Sequence, residues 1–138
     1  MLDKDLRSIQ EARQLARSAH EAHEAFGGFS EQAIDTILQA MVEVIVKNAE
    51  KLARMTVEET GYGVVEHKVI KNLFASRNVY QAIRPLKTEG IISEDIVSKV
   101  IEAAVPVGVV LALSPTTNPT STIIHKAMCA VKARTAFI

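Results

Sequence analysis

Apolar residues recur at helical spacing through the first half of the chain. From Leu2 to Phe26 the stripe reads Leu2, Leu6, Ile9, Ala12, Ala16, Ala19, Ala22 and Phe26, one face of a helix. Gly27-Gly28 ends it, because glycine accepts the left-handed conformation that helix C-termini often take. Ser30 suits the N-cap of a second helix, with Phe29 and Ile34 at the spacing of a hydrophobic staple. Ile34, Ile37, Leu38, Met41 and Ile45 form the buried side of that helix. Asn48 is placed to cap a short further helix carrying Leu52, Ala53 and Met55, and Gly61-Tyr62-Gly63 reads as a loop. A third long pattern, about Val65 to Ile83, puts Val69, Ile70, Leu73, Phe74 and Tyr80 inward, and Pro85 forbids its continuation.

The second half changes character. Ile91-Ile92, Ile96 to Val105 and Val107 to Leu113 are rich in β-branched residues and separated by short polar or Pro-Gly breaks, which favours strands. Asn118-Pro119 opens a further helix, Thr120 to about Ala133, with proline in its first turn, and Ala136-Phe137-Ile138 begins another strand. Strand, polar turn, helix and strand form a βαβ unit, so the fold class is α/β with a parallel sheet. Such a unit needs neighbouring strands and helices on both faces, and more polypeptide than these residues is expected.

Composition narrows the function. The 138 residues are 48% hydrophobic and suffice for one domain. Sixteen basic and sixteen acidic residues cancel and are interspersed, so no field attracts nucleic acid or an anionic membrane. One cysteine, Cys129, excludes an intramolecular disulfide and fits a reducing cytoplasm. The start lacks a secretory pattern, and no apolar run reaches the roughly 18 residues of a membrane helix. A cytoplasmic location is expected.

Chemistry concentrates in Ser114-Pro115-Thr116-Thr117-Asn118. A buried strand is expected to deliver this segment to its carboxyl end, ahead of a helix N-terminus, where ligands bind in open α/β sheets. Unpaired amides and the helix dipole favour negative charge there. A carboxamide so placed can donate to a developing oxyanion. Asn118 before a proline is equally an ordinary N-cap. The segment lacks the G-x-G-x-x-G spacing of a dinucleotide loop.

Val57-Glu-Glu-Thr-Gly-Tyr-Gly-Val-Val-Glu-His-Lys-Val-Ile-Lys-Asn-Leu-Phe-Ala-Ser76 resembles the helical signature of CoA-acylating aldehyde dehydrogenases, including the dehydrogenase half of bifunctional aldehyde-alcohol dehydrogenases. Pro106-Val-Gly-Val, Pro115-Thr-Thr-Asn-Pro-Thr-Ser-Thr122 and Lys132-Ala-Arg-Thr-Ala136 resemble the next three blocks in the same order. The resemblance implies the N-terminal part of an NAD-binding domain over residues 1–138, with helices leading into an incomplete Rossmann-like sheet. It implies a β-arm for oligomerisation at 87–105 and a homodimer or larger assembly. The implied reaction takes an aldehyde, NAD and CoA to acyl-CoA and NADH, reversibly, through a cysteine thioester. It places Ser114, Pro115, Thr116 and Thr117 beside the cofactor and Asn118 at the oxyanion. Broader aldehyde dehydrogenases have Pro-Trp-Asn-Phe-Pro, and aligning the prolines puts Thr117 at the asparagine position. Thr117 is therefore the second candidate. The nucleophilic cysteine has no counterpart here, so this stretch alone is expected to be inactive.

Other chemistry-bearing residues read as structural. Cys129 lies among Ile123, Ile124, Ala127, Met128 and Val131 with no evident activating base. His20 and His23 share a helix face without a third metal ligand and read as solvated, as do Glu11, Arg13, Arg17 and Glu21. His67 and His125 have no partner implied by sequence. No metal site is expected. Two other functions fit less of the pattern: a non-acylating or sulfoaldehyde-type dehydrogenase, and a non-catalytic assembly module.

Overall fold

A computed structural model describes residues 3–138. Leu2, the first residue of the N-terminal stripe, lies outside them. Helix α1 spans Lys4–Gly27 and α2 spans Glu31–Thr60. The Ser30 hydroxyl accepts from the Ala33 amide at 3.2 Å, so the expected N-cap is present. Gly61 closes α2 in the left-handed region, at φ 69°, and its amide reaches the Val57 carbonyl at 2.9 Å. That conformation costs a residue with a Cβ roughly 1 kcal/mol or more, which glycine avoids.

No break occurs at Asn48. Its side chain donates to the Val44 carbonyl at 2.8 Å and α2 runs through. Asparagine is a poor helix former, but a back-bond to the preceding turn and the packing of Ala49 and Ala53 override that preference.

The long pattern after the loop forms α3, Val65–Leu73, a π-helical turn at Phe74–Asn78, and α4, Val79–Ile83. Its buried face differs from the periodicity reading. Ile70 and Phe74 are 64% and 62% exposed, whereas Lys68, Asn72, Ala75, Ser76 and Val79 are buried. Each buried polar member has a hydrogen-bond partner. Satisfied polar groups are cheap to bury, and the π turn adds a residue that shifts the face.

A hairpin follows, β1 at Gly90–Asp95 antiparallel to β2 at Val100–Ala104. The expected strand from Ile96 is shortened. The Asp95 carboxylate accepts from the Val97 and Ser98 amides at 2.9 and 3.2 Å, bending the chain into a turn. Strand β3, Val109–Val110, then pairs in parallel with β4, Ala136–Phe137, across α5, Pro119–Lys132. The expected βαβ unit is present.

Ile34 and Leu38 of α2 meet Ala75, Val79, Ile124 and Met128 in the core. Helix α1 packs on β3 and β4, buries Ala19, and leaves Leu6, Ile9 and Leu15 about half exposed. Leu111 and Leu113, expected in a buried strand, are also exposed. A two-stranded sheet offers a side chain too few neighbours to cover both faces. No helix of the described residues is long and apolar enough to cross a membrane.

Candidate active site

The Ser114–Asn118 segment leaves β3 and turns directly into α5. The Ser114 hydroxyl donates to the Pro119 carbonyl at 3.2 Å, and the Asn118 amide to the Pro115 carbonyl at 3.3 Å, so the segment folds on itself. Ser114, Pro115, Thr116 and Thr117 are exposed, and Asn118 is half-buried. Pro119 has no amide hydrogen, and the first-turn amides of Thr120 and Ser121 have no carbonyl within α5 to bind. This start of α5 is a place for an anion or an oxyanion.

Asn118 occupies the N-cap position but its side chain caps nothing. The carboxamide turns instead to α3, where Lys71 Nζ donates to Oδ1 at 3.0 Å and Lys68 Nζ lies 3.4 Å from the same oxygen. Lys68 also donates to the Thr117 carbonyl. Lys68 is 5% exposed. Burial, and then the neighbouring Lys71 charge, hold its ammonium below the usual lysine value. Room for its stem comes from Gly63, at φ 86°, where an added Cβ would stand 2.8 Å from Lys68 Cε.

Beneath the segment, a polar brace ties three helices together. Thr120 of α5 donates to Asn72 Oδ1 at 2.9 Å, and Asn72 Nδ2 donates to the Ala49 carbonyl of α2 at 3.2 Å. Asn72 is fully buried with both ends of its amide engaged, so the brace fixes the start of α5 relative to α2.

An open groove of about 490 Å³ runs up to Asn118, with Ile70 and Phe74 on one wall and Ser121, Thr122 and His125 on the other. A second hollow that also reaches Asn118 is lined by Tyr62, Gly63, His67, Lys68 and Thr117. No carboxylate lines either one. Neutral hydroxyls, free amides and two ammonium groups suit an anionic ligand such as a dinucleotide.

Lys68, Lys71, Asn72 and Gly63 were missed as site residues by the sequence reading. A signal existed, since Lys68, Asn72 and Ser76 recur every fourth residue along one face inside the Val57–Ser76 block. Cys129 has a neighbour that the sequence reading did not foresee, His125 Nε2 at 3.8 Å from Sγ. Burial nevertheless pushes its thiol up, and Cys129 packs against the core. His23 is likewise not simply solvated: its Nδ1 lies 3.0 Å from the Arg134 carbonyl. His20 pairs with Glu24 at 3.5 Å on the exposed side.

The chain is similar to known proteins over nearly all its length. It is 38% identical over 131 residues to the bifunctional aldehyde-alcohol dehydrogenase of Escherichia coli, covering 95% of this chain and 15% of that one. An acetylating aldehyde dehydrogenase from Geobacillus thermoglucosidasius superposes with a TM-score of 0.90 at 47% identity, over 99% of this chain and 30% of that one. A propionaldehyde dehydrogenase from Rhodopseudomonas palustris, solved with bound CoA and an acylated cysteine, gives 0.74 at 30% identity over 91% and 28%. The chain thus spans less than a third of each relative's length, and the stretch it matches is their N-terminal portion, as the sequence blocks imply. Residues 5–138 match the sequence model of the Aldehyde dehydrogenase family, and the chain belongs to that family.

Proposed function

We propose that residues 3–138 form the N-terminal part of the nicotinamide-binding domain of an acylating aldehyde dehydrogenase, which converts an aldehyde, NAD and CoA to acyl-CoA and NADH. The observation that carries this is the Ser114–Asn118 segment, poised between the end of β3 and the open start of α5 at the head of a groove. Ser114, Pro115, Thr116, Thr117 and the first-turn amides of α5 would hold the dinucleotide, and no carboxylate lines the two hollows that meet at Asn118. When bound, NAD supplies the hydride acceptor.

The chemistry asked of this chain is stabilisation of charge. A thiolate that attacks the aldehyde forms a C–S bond and sends the carbonyl electron pair onto oxygen. Asn118 Nδ2 is the donor proposed for that oxygen, with the α5 amides beside it. Once the carbon is oxidised to a thioester, the CoA thiol takes the acyl group and the enzyme sulfur leaves as thiolate. Cys129 is the one cysteine of the sequence, and its raised, core-packed thiol does not suit that role. The nucleophile is therefore assigned outside these residues, as the acylated cysteine of the Rhodopseudomonas protein supports.

The hairpin is proposed to join subunits, through an arm from about residue 87 to 105. Ile91, Ile92, Val100 and Ile101 are all about half exposed on a two-stranded sheet. An isolated hairpin is marginal in water, and pairing with a second copy would cover it.

The full-length protein should reduce NAD when given acetaldehyde and CoA, and residues 1–138 alone should not. NAD reduction that ignores CoA would point to a non-acylating dehydrogenase. Turnover by the short chain would remove the case for an external nucleophile.

A further inference from the structure

The chemistry of the two lysines fixes which way the Asn118 carboxamide faces. An ammonium only donates, so the carboxamide atom 3.0 Å from Lys71 Nζ and 3.4 Å from Lys68 Nζ is the oxygen. The amide nitrogen, on the other branch of the planar group, is left for an acceptor arriving from outside. A helix cap would require the reverse, because a cap uses the oxygen to accept from the helix amides.

Charge at this position is expensive. Lys68 is buried, stands one helical turn from Lys71 and suffers from its charge. Among the described residues neither lysine has a carboxylate within ion-pair distance. A neutral amide could brace the Thr117 carbonyl at lower desolvation cost. What two uncompensated cations add is positive potential behind a donor. They polarise the carboxamide, so that its N–H binds a developing negative charge more strongly than an unassisted amide.

We propose that Lys68 and Lys71 are positioning residues, a cationic fork that holds Asn118 by its oxygen, presents its N–H to the substrate oxyanion and strengthens that donation. Gly63 belongs to the device, because any side chain there would occupy the path of Lys68. The inference rests on reading Asn118 as the oxyanion donor.

The test uses the full-length protein with acetaldehyde, CoA and NAD. Lys71→Met alters an exposed residue and should spare folding, while Lys68→Met removes the buried arm. Removing an oxyanion donor costs about 100- to 1000-fold in kcat, and loss of either lysine should cost roughly 10- to 100-fold with the aldehyde KM little changed. Lys71→Arg should restore most of the rate. In an Asn118→Ala background, Lys71→Met should cause no further loss, because the lysine acts through that side chain. Wild-type kcat in Lys71→Met, or additive losses in the double variant, would overturn the fork. Crystal structures decide separately from turnover. In Lys68→Met/Lys71→Met the Asn118 carboxamide should leave its present position, and a carboxamide that stays would also overturn the proposal. An unmutated protein without CoA-dependent turnover would instead sink the functional reading, with the structural comparison still deciding the fork.

Discussion

Arg134 Nη2 stands 3.2 Å from Glu31 Oε2, across 103 residues of sequence. Arg134 is 1% exposed, and its guanidinium also reaches Glu89 at 3.1 Å and the Phe29 carbonyl at 3.0 Å. Buried Lys132 donates to the other Glu31 oxygen and to the Arg84 carbonyl. One half-exposed carboxylate thus serves two buried cations and locks the end of α5 to the start of α2.

Replacing Glu31 leaves both cations short of a partner. Glu31→Gln should cost about 1–3 kcal/mol, toward the lower end because Glu31 itself is half exposed and Arg134 keeps Glu89. Chemical denaturation reads the loss directly. The carboxyl is held below its ordinary value of 4.5, first by the Lys132 hydrogen bond. A depressed folded value means stability that is full above the ordinary value and lost as pH falls through the folded one. The stability gap between wild type and Glu31→Gln should therefore close as pH falls through that folded value.

Asn118 separates a cap from a catalytic donor. A capping asparagine loses about 1 kcal/mol on truncation to alanine. Because its side chain makes no cap bond, Asn118→Ala should shift the thermal midpoint less than that while kcat of the full-length protein collapses. A large stability loss with intact kcat would restore the capping role.

Gly63→Ala meets both obstacles at once, a positive φ and a Cβ only 2.8 Å from Lys68 Cε. Strain of this kind costs about 1–3 kcal/mol, and Lys68 must move. Stability and turnover should fall together, and an alanine variant equal to wild type in both would show that the loop relaxes freely.

The two faces of the Val65–Ile83 helix should respond in opposite ways. Val79→Ala removes a core contact and should cost roughly 1–3 kcal/mol. Ile70→Ser alters an exposed groove wall and should stay within about 0.5 kcal/mol. Urea midpoints compare them, and a larger loss at Ile70 would favour the face that periodicity picked.

Cys129 should resist alkylation in the folded protein, because burial pushes its thiol up. Cys129→Ala should retain turnover in the full-length protein. A dead Cys129→Ala variant with wild-type stability would make it the nucleophile after all.

The sequence by itself determined several of the element boundaries. Ser30, Gly61 and Pro85 act through their own backbone and the next turn, so their effects are readable without any partner. The β3–α5–β4 order and the polar segment at its switch from strand to helix were equally local. Asn48 shows the limit: its capping preference was real, but packing of the surrounding α2 face outweighed it.

Tertiary structure decided everything that depends on a partner far along the chain. Lys68 is buried because the Thr117 carbonyl lies 49 residues away, and Asn72 because Ala49 and Thr120 meet it from two other helices. Hydrophobic periodicity assigns burial by residue type, and so turned Ile70 and Phe74 inward. A polar group is buried when an acceptor or donor waits for it, and a lysine or asparagine read alone does not reveal which will arrive.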